Sequence, residues 1–255
     1  MQNALLPGLP IDLIKAAYAK APGNEIDSGK FVNPASSAAL VANTFGFFLT
    51  RSDELPPDPF ASSWRSSVQS IELEATIRFP WSGGRHPCLD VLITTDDCLV
   101  GIESKRYEPF RSRKSKELLS KAYDRHVWGD NMIGFERVRD RINEGQQFRH
   151  LDAGQLVKHA FGLRSEAERH RTASKRAPIL VYLYAQPMAW PDGMAVSTNA
   201  HDAHLAEILQ FAKLVEGCEV DFRSYSYREV LHAWRTSGSP AVVAHVDALR
   251  ARFDV

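Results

Sequence analysis

The stretch Leu89-Asp90-Val91-Leu92-Ile93, Thr94-Thr95-Asp96-Asp97, Cys98-Leu99-Val100-Gly101-Ile102-Glu103-Ser104-Lys105 decides how this chain is read. Its two outer segments are β-prone apolar runs, and the polar residues between them have the composition of a hairpin turn. A turn centred between Asp96 and Asp97 sets Asp90 directly opposite Glu103. Opposed residues share a face, and period-2 alternation adds Lys105 to it. Asp-Asp lacks the glycine of a tight two-residue turn, so a four-residue loop over 95–98 is expected, with the same register. An aspartate or glutamate on a solvated hairpin would sit among alternating polar residues. Here the runs are almost continuously apolar, as in strands covered on both faces, and a carboxylate in that setting needs compensation.

Two carboxylates held this close repel unless a cation lies between them, and Mg²⁺ or Mn²⁺ prefers carboxylate, carbonyl and water oxygens. A metal in that position lowers the pKa of a bound water and polarises a phosphoryl oxygen. An adjacent lysine orients the water and stabilises developing negative charge. The acid, acid and lysine together therefore point to metal-dependent phosphodiester hydrolysis.

At Asp90, Glu103 and Lys105 the chain resembles the PD-(D/E)XK nuclease superfamily, whose motif is an aspartate, a variable gap and Glu/Asp-x-Lys. The proline of the motif is displaced: Cys88 and Leu89 precede Asp90, and the nearest proline is Pro87. The segment from Ser36 to Gly46 is similar to the first helix of uncharacterised bacterial restriction-endonuclease-like proteins, and Gly101 to Glu108 to their catalytic strand. The resemblance implies a restriction-endonuclease-like α/β fold with an αβββαβ core, a mixed central sheet flanked by helices, and a C-terminal α/β extension. It implies Mg²⁺ or Mn²⁺ on Asp90 and Glu103, with the Ser104 carbonyl as a further ligand and Lys105 positioning the water. The accessory residues are Gln155 and one acid of the strand Ile71-Glu72-Leu73-Glu74-Ala75, where Glu72 and Glu74 share a face and either could turn towards Asp90, Glu74 being preferred. Gln155 resembles the glutamine of the Gln-x-x-x-Tyr helix of RecB-like exonucleases, with His159 in place of the tyrosine. DNA is the implied substrate, RNA stays open, and a homodimer suits a double-strand cutter. The rival reading is a non-catalytic nucleic-acid-binding module on the same fold.

A single nuclease-like domain over 1–255 is expected, with a core at about 36–185 and an elaboration at about 186–255; 44% hydrophobic residues suffice for such a core. No leader peptide and no run of about twenty apolar residues is evident. Cys88, Cys98 and Cys218 have neither disulfide-framework nor zinc spacing, which fits a reducing cytoplasm. Net charge is zero, yet residues 103–176 hold 18 Lys/Arg against 11 Asp/Glu. The densest clusters are Arg111, Arg113, Lys114, Lys116 and Arg164, Arg169, Arg171, Lys175, Arg176, the distribution that a polyanion requires.

The element order reads helix, strand, strand, strand, helices, strand, helix, strand, helix, helix. Expected bounds are a helix over Ile11–Lys20, a loop at 27–33, a helix at 36–49, strands at about 70–79, 88–94 and 98–106, and helices within 114–163. A buried strand follows at 179–184, then a helix at 202–215 and an edge strand at 220–223. Ser226 and Glu229 form a capping box, and Ser239-Pro240 opens a terminal helix. The connection from Trp81 to Pro87 is expected beside the acidic site. His201 and His204 have helical spacing but no third ligand, so they read as a polar helix start.

Overall fold

The computed structural model describes all residues except 24, 58, 61–66, 82, 112–118, 147 and 170–175, and the backbone alone of Gln2. The expected clusters therefore lie partly outside the described residues: Arg113, Lys114, Lys116, Arg171 and Lys175, together with Ser82 of the loop, are among the omitted positions.

The helices α1 (Ile11–Lys20) and α2 (Ser37–Gly46) precede the strands β1 (Val68–Thr76), β2 (Cys88–Thr95) and β3 (Cys98–Lys105). The helices α3 (Ile133–Asn143) and α4 (Ala153–Arg169) lead to β4 (Ala177–Tyr184), α5 (Thr198–Val215), β5 (Asp221–Ser226), α6 (Tyr227–Ser237) and α7 (Pro240–Phe253). The chain is thus α/β with one five-stranded mixed sheet in the order β1-β2-β3-β4-β5. β1, β2 and β3 form an antiparallel meander, whereas β4 and β5 run parallel to β3. Each parallel step needs a crossover, supplied first by α3 and α4 and then by α5.

Helices cover both faces of the sheet. One core joins α1, α2, α6 and α7 to residues such as Val91, Val100 and Val181. The other joins α3, α4 and α5 to Leu92, Leu99 and Leu180. This double cover explains why β3 and β4 read as continuous apolar runs. Every residue of β3 before Lys105 is buried, as is every residue of β4 after Ala177.

Several expected bounds shift. The helix at 36–49 is α-helical only to Gly46 and tightens into a 3₁₀ turn over Phe47–Thr50. α5 begins at Thr198, four residues before the expected start, with Ser197 as its flanking residue. The loop at 27–33 contains a 3₁₀ turn, Lys30–Val32. The capping box at Ser226 and Glu229 and the Ser239 cap of α7 form as expected.

The largest departure is in β1. Leu73 belongs to the first core and Ala75 to the second, although residues two apart in a regular strand share a face. Glu74 between them has φ of 52°, the left-handed region. Its partner strand does the same: Val91 lies in the first core and Leu89 in the second. The meander therefore changes face at Glu74 and Asp90, and the expected strict alternation carrying Glu72 and Glu74 together does not hold.

Two histidines are buried on opposite faces. Burial pulls His204 down to about 3, with His150 and His201 adding to the effect, and pulls His245 down to about 4. His204 Nε2 and the Tyr182 hydroxyl lie 2.8 Å apart. A neutral buried histidine contributes stability above its unfolded pKa near 6.5. That contribution is lost as pH falls, because the unfolded chain takes up a proton that the fold excludes. The urea midpoint is expected to fall between pH 7 and pH 5, with a His204 share of order 1.4 kcal/mol per pH unit below about 6.5. His204→Gln should flatten this dependence, and equal slopes in both proteins would refute the assignment.

Candidate active site

The site grows from the meander. The β1 to β2 ladder pairs Leu73 with Val91 and Ala75 with Leu89, which brackets Glu74 opposite Asp90. The β2 to β3 ladder runs from Thr94 with Leu99 to Val91 with Ile102, the register expected from the turn, with 95–98 outside the paired positions. Beyond Val91 the main-chain pairing stops. The Ser104 amide instead donates to Asp90 Oδ2 at 2.6 Å, so a carboxylate continues the ladder and is fixed by it.

α4 supplies the second wall. Lys105 Nζ donates to Gln155 Oε1 at 2.9 Å and also to Glu103 Oε1. His159 Nε2 lies 2.9 Å from Glu103 Oε2, but at an angle that makes no hydrogen bond. A Cβ on Gly101 would come within 2.7 Å of Leu163 Cδ1 and 2.8 Å of Leu89 Cδ1, so only glycine lets the helix approach this closely. Gln155, His159 and Leu163 thus meet Lys105, Glu103 and Gly101 in turn. The match is geometric: four residues of helix rise about 6 Å and two residues of strand about 6.6 Å. Asp152 Oδ1 accepts from the Gln155 amide at 2.9 Å and so caps the end of the helix that carries the glutamine.

A cleft of about 480 Å³ opens over these groups, and Glu74, Asp90, Glu103, Ser104, Lys105 and Gln155 all line it. All the sequence-predicted site residues are therefore brought to one place. Glu72 is exposed and does not line the cleft, which separates it from Glu74. The Ser104 side chain points away, its Oγ 2.7 Å from the Tyr227 hydroxyl on α6, so only its main chain is available to the site. The described part of the loop from Trp81 to Pro87 does not line the cleft. Trp81 stacks on Phe79 and packs against Trp128 instead.

Other residues complete the cleft without having been assigned to it, Arg111 of the first basic cluster among them. Ser36, Ser37 and Ala38 bring the start of α2 to the rim, beside Glu25, Lys30, Glu108 and Arg111. Ser37 Oγ donates to Glu108 Oε1 at 2.6 Å, and the Arg106 amide donates to Glu108 Oε2 at 2.8 Å, so Glu108 ties α2 to the end of β3. The sequence signal for Glu108 is only its position three residues after Lys105. His159 was visible only as the residue in place of a motif tyrosine.

The electrostatics follow from the crowding. Burial raises Asp90 well above the usual carboxylate range, and Glu103 and Glu74 add to this against Lys105. Burial also pushes Glu74 up to about 7. Burial would raise Glu103 as well, but Lys105 and His159 outweigh it and hold that carboxyl below its usual range. Burial works against the Lys105 charge too, yet Glu103 and Asp90 prevail and raise it. Five carboxylates (Glu25, Glu74, Asp90, Glu103, Glu108) face three cations (Lys30, Lys105, Arg111) around the cleft. Among the described residues Glu103 Oε2 is buried with His159 Nε2 as its near neighbour at 2.9 Å and no well-aligned donor. This crowding of acids, two of which burial pushes towards the neutral form, would be relieved by a divalent cation. Among the described residues no group of three or more His, Cys, Asp or Glu side chains stands ready to hold a metal. A cation here would take two carboxylates, a main-chain carbonyl and water, a set that suits Mg²⁺, which retains several waters.

Comparison with protein-family models, with curated proteins and with solved structures found no match to this chain.

Proposed function

We propose that the cleft hydrolyses phosphodiester bonds in DNA as a divalent-metal-dependent nuclease of the PD-(D/E)XK type, on a restriction-endonuclease-like core formed by α2, β1 to β3, α4 and β4. The observation that carries this reading is the placement of Lys105, whose amine bridges Glu103 and Gln155 in the cleft that Asp90 also lines. Asp90 and Glu103, with the Ser104 carbonyl, would hold Mg²⁺ or Mn²⁺, and Glu74 would order its waters. The metal, when bound, supplies Lewis-acid polarisation of a phosphoryl oxygen and a water of lowered pKa. Lys105 is anchored through two acceptors and can direct its remaining N–H at the attacking water or at a phosphoryl oxygen as charge develops. Gln155 fixes the amine from the helix side, and the Ser104 amide fixes the Asp90 carboxylate from the strand side.

The test is incubation of linear, circular and single-stranded DNA, and of RNA, with Mg²⁺ or Mn²⁺, beside Asp90→Asn. Cleavage that requires the metal and is lost in the variant is the expected result. It also identifies the substrate class, and circular DNA separates internal from terminal cutting. Salt-sensitive binding without cleavage would favour a non-catalytic nucleic-acid-binding module. The absence of both binding and cleavage would overturn the reading.

A further inference from the structure

A second cavity of about 450 Å³, which among the described lining residues shares only Asn33 with the acidic cleft, has the opposite character. Arg106 and Arg252 line it with Asn33, Tyr107 and Phe253, and no carboxylate is among its lining residues. Arg106 is 7% exposed. Its Nη1 donates to the Pro34 carbonyl and its Nη2 to the Phe253 carbonyl, the latter at 3.0 Å. Among the described residues its buried Nε has no hydrogen-bond partner. Among the described residues no carboxylate comes within 4.0 Å of this guanidinium. The aromatic rings of Tyr107 and Phe253 lie 5.2 Å and 5.1 Å from its centre and supply only the weaker attraction of a π face.

A guanidinium taken out of water without an anion is costly, and its planar fork is suited to a carboxylate or phosphate. Arg252 is exposed at the rim, with Nη2 directed to the Asn3 carbonyl. The cavity thus offers one buried guanidinium and one solvent-exposed cation, and among the described residues neither has a carboxylate in direct contact; Glu108 and Asp254 act on Arg106 only from farther away.

We propose that this cavity binds a phosphate monoester, held by Arg106 Nε and the Arg252 guanidinium. Its ligand is either the terminal phosphate of a nucleic-acid strand or a free phosphate compound. Asn33 lines both this cavity and the acidic cleft, so an occupied pocket abuts the segment that leads into α2. The proposal does not require cleavage at the neighbouring site.

Titration calorimetry in EDTA on the full chain, with inorganic phosphate, a nucleoside monophosphate and an oligonucleotide with and without a terminal phosphate, tests it. Saturable phosphate binding is expected, weakened at least about tenfold in Arg252→Glu. Arg106→Gln should lose it as well. Should that variant unfold because Arg106 ties Pro34 to Phe253, the exposed Arg252 decides alone. Tighter binding of the phosphorylated oligonucleotide than of its unphosphorylated counterpart assigns the ligand to a strand end. Equal binding of the two, with the small phosphates retained, assigns it to a free compound. Asp90→Asn, the near-isosteric change expected to lose cleavage, should bind phosphate normally, which separates this pocket from the nuclease reading. Absence of saturable binding to the unmodified protein, or unchanged affinity in Arg252→Glu, would overturn the proposal.

Discussion

Replacing Lys105 by alanine is expected to reduce metal-dependent DNA cleavage by about 10²- to 10⁴-fold, the range seen for a positioned proton-transfer or charge-stabilising group. The same change removes the cation against Glu103, whose side chain is 2% exposed, while that of Lys105 is 15% exposed. Breaking a buried pair from one side leaves an uncompensated charge and costs about 3–5 kcal/mol. Loss of rate and loss of fold must therefore be separated. Combining Lys105→Ala with Glu103→Gln removes both charges and should recover much of the stability, measured by urea unfolding, while cleavage stays absent. Wild-type rates in folded Lys105→Ala would sink the proposed mechanism. Recovery of cleavage in the double variant would do so equally, since it would make the lysine structural only.

Trp234→Ala is expected to destabilise the fold by about 3–5 kcal/mol, which for a chain of this size lowers Tm by on the order of 10 °C. Trp234 is fully buried on α6, and the rings of Phe48, Phe45 and Phe60 surround it at 5.2, 5.7 and 6.0 Å. Removing the indole leaves a cavity that three large rings cannot close without leaving their rotamers. Among the described residues the indole Nε1 has no hydrogen-bond partner. Trp234→Phe, which gives up volume but also a buried unpaired donor, should therefore cost far less than the alanine change. Thermal unfolding of the two variants checks the contrast. Similar losses for both would mean that the cavity is not what the alanine change costs. Trp234 does not line the cleft, so cleavage per folded molecule should persist.

Much of this architecture was legible because local and global signals agreed. The polar turn fixed the β2 to β3 register, the unbroken apolar run Ile179 to Tyr184 marked an interior parallel strand, and Ser226 with Glu229 marked the start of α6. Asp90, Glu103 and Lys105 were readable because strand periodicity places them without knowledge of the rest. Gln155 required a helix to meet the strand in a specific register, which depends on Gly101 and Leu163 and cannot be seen in either segment alone. Glu108 and Ser37 lie 71 residues apart, and nothing local announces their bond. The crossing at Glu74 was missed for a different reason. Burial still alternates through Leu73, Glu74 and Ala75, so the sequence pattern is that of an ordinary strand although the two buried residues serve different cores.

That crossing makes β1 a member common to both sides of the sheet. A left-handed backbone at a residue other than glycine costs roughly 1–2 kcal/mol, and here the residue that bears it presents a carboxylate to the cleft. Because Leu73 and Ala75 anchor one strand in two separate interiors, neither helical layer can loosen while the other keeps its packing on β1. The two layers should then melt as one cooperative unit, with the acidic site at the joint and its carboxylates among the last groups to lose their arrangement.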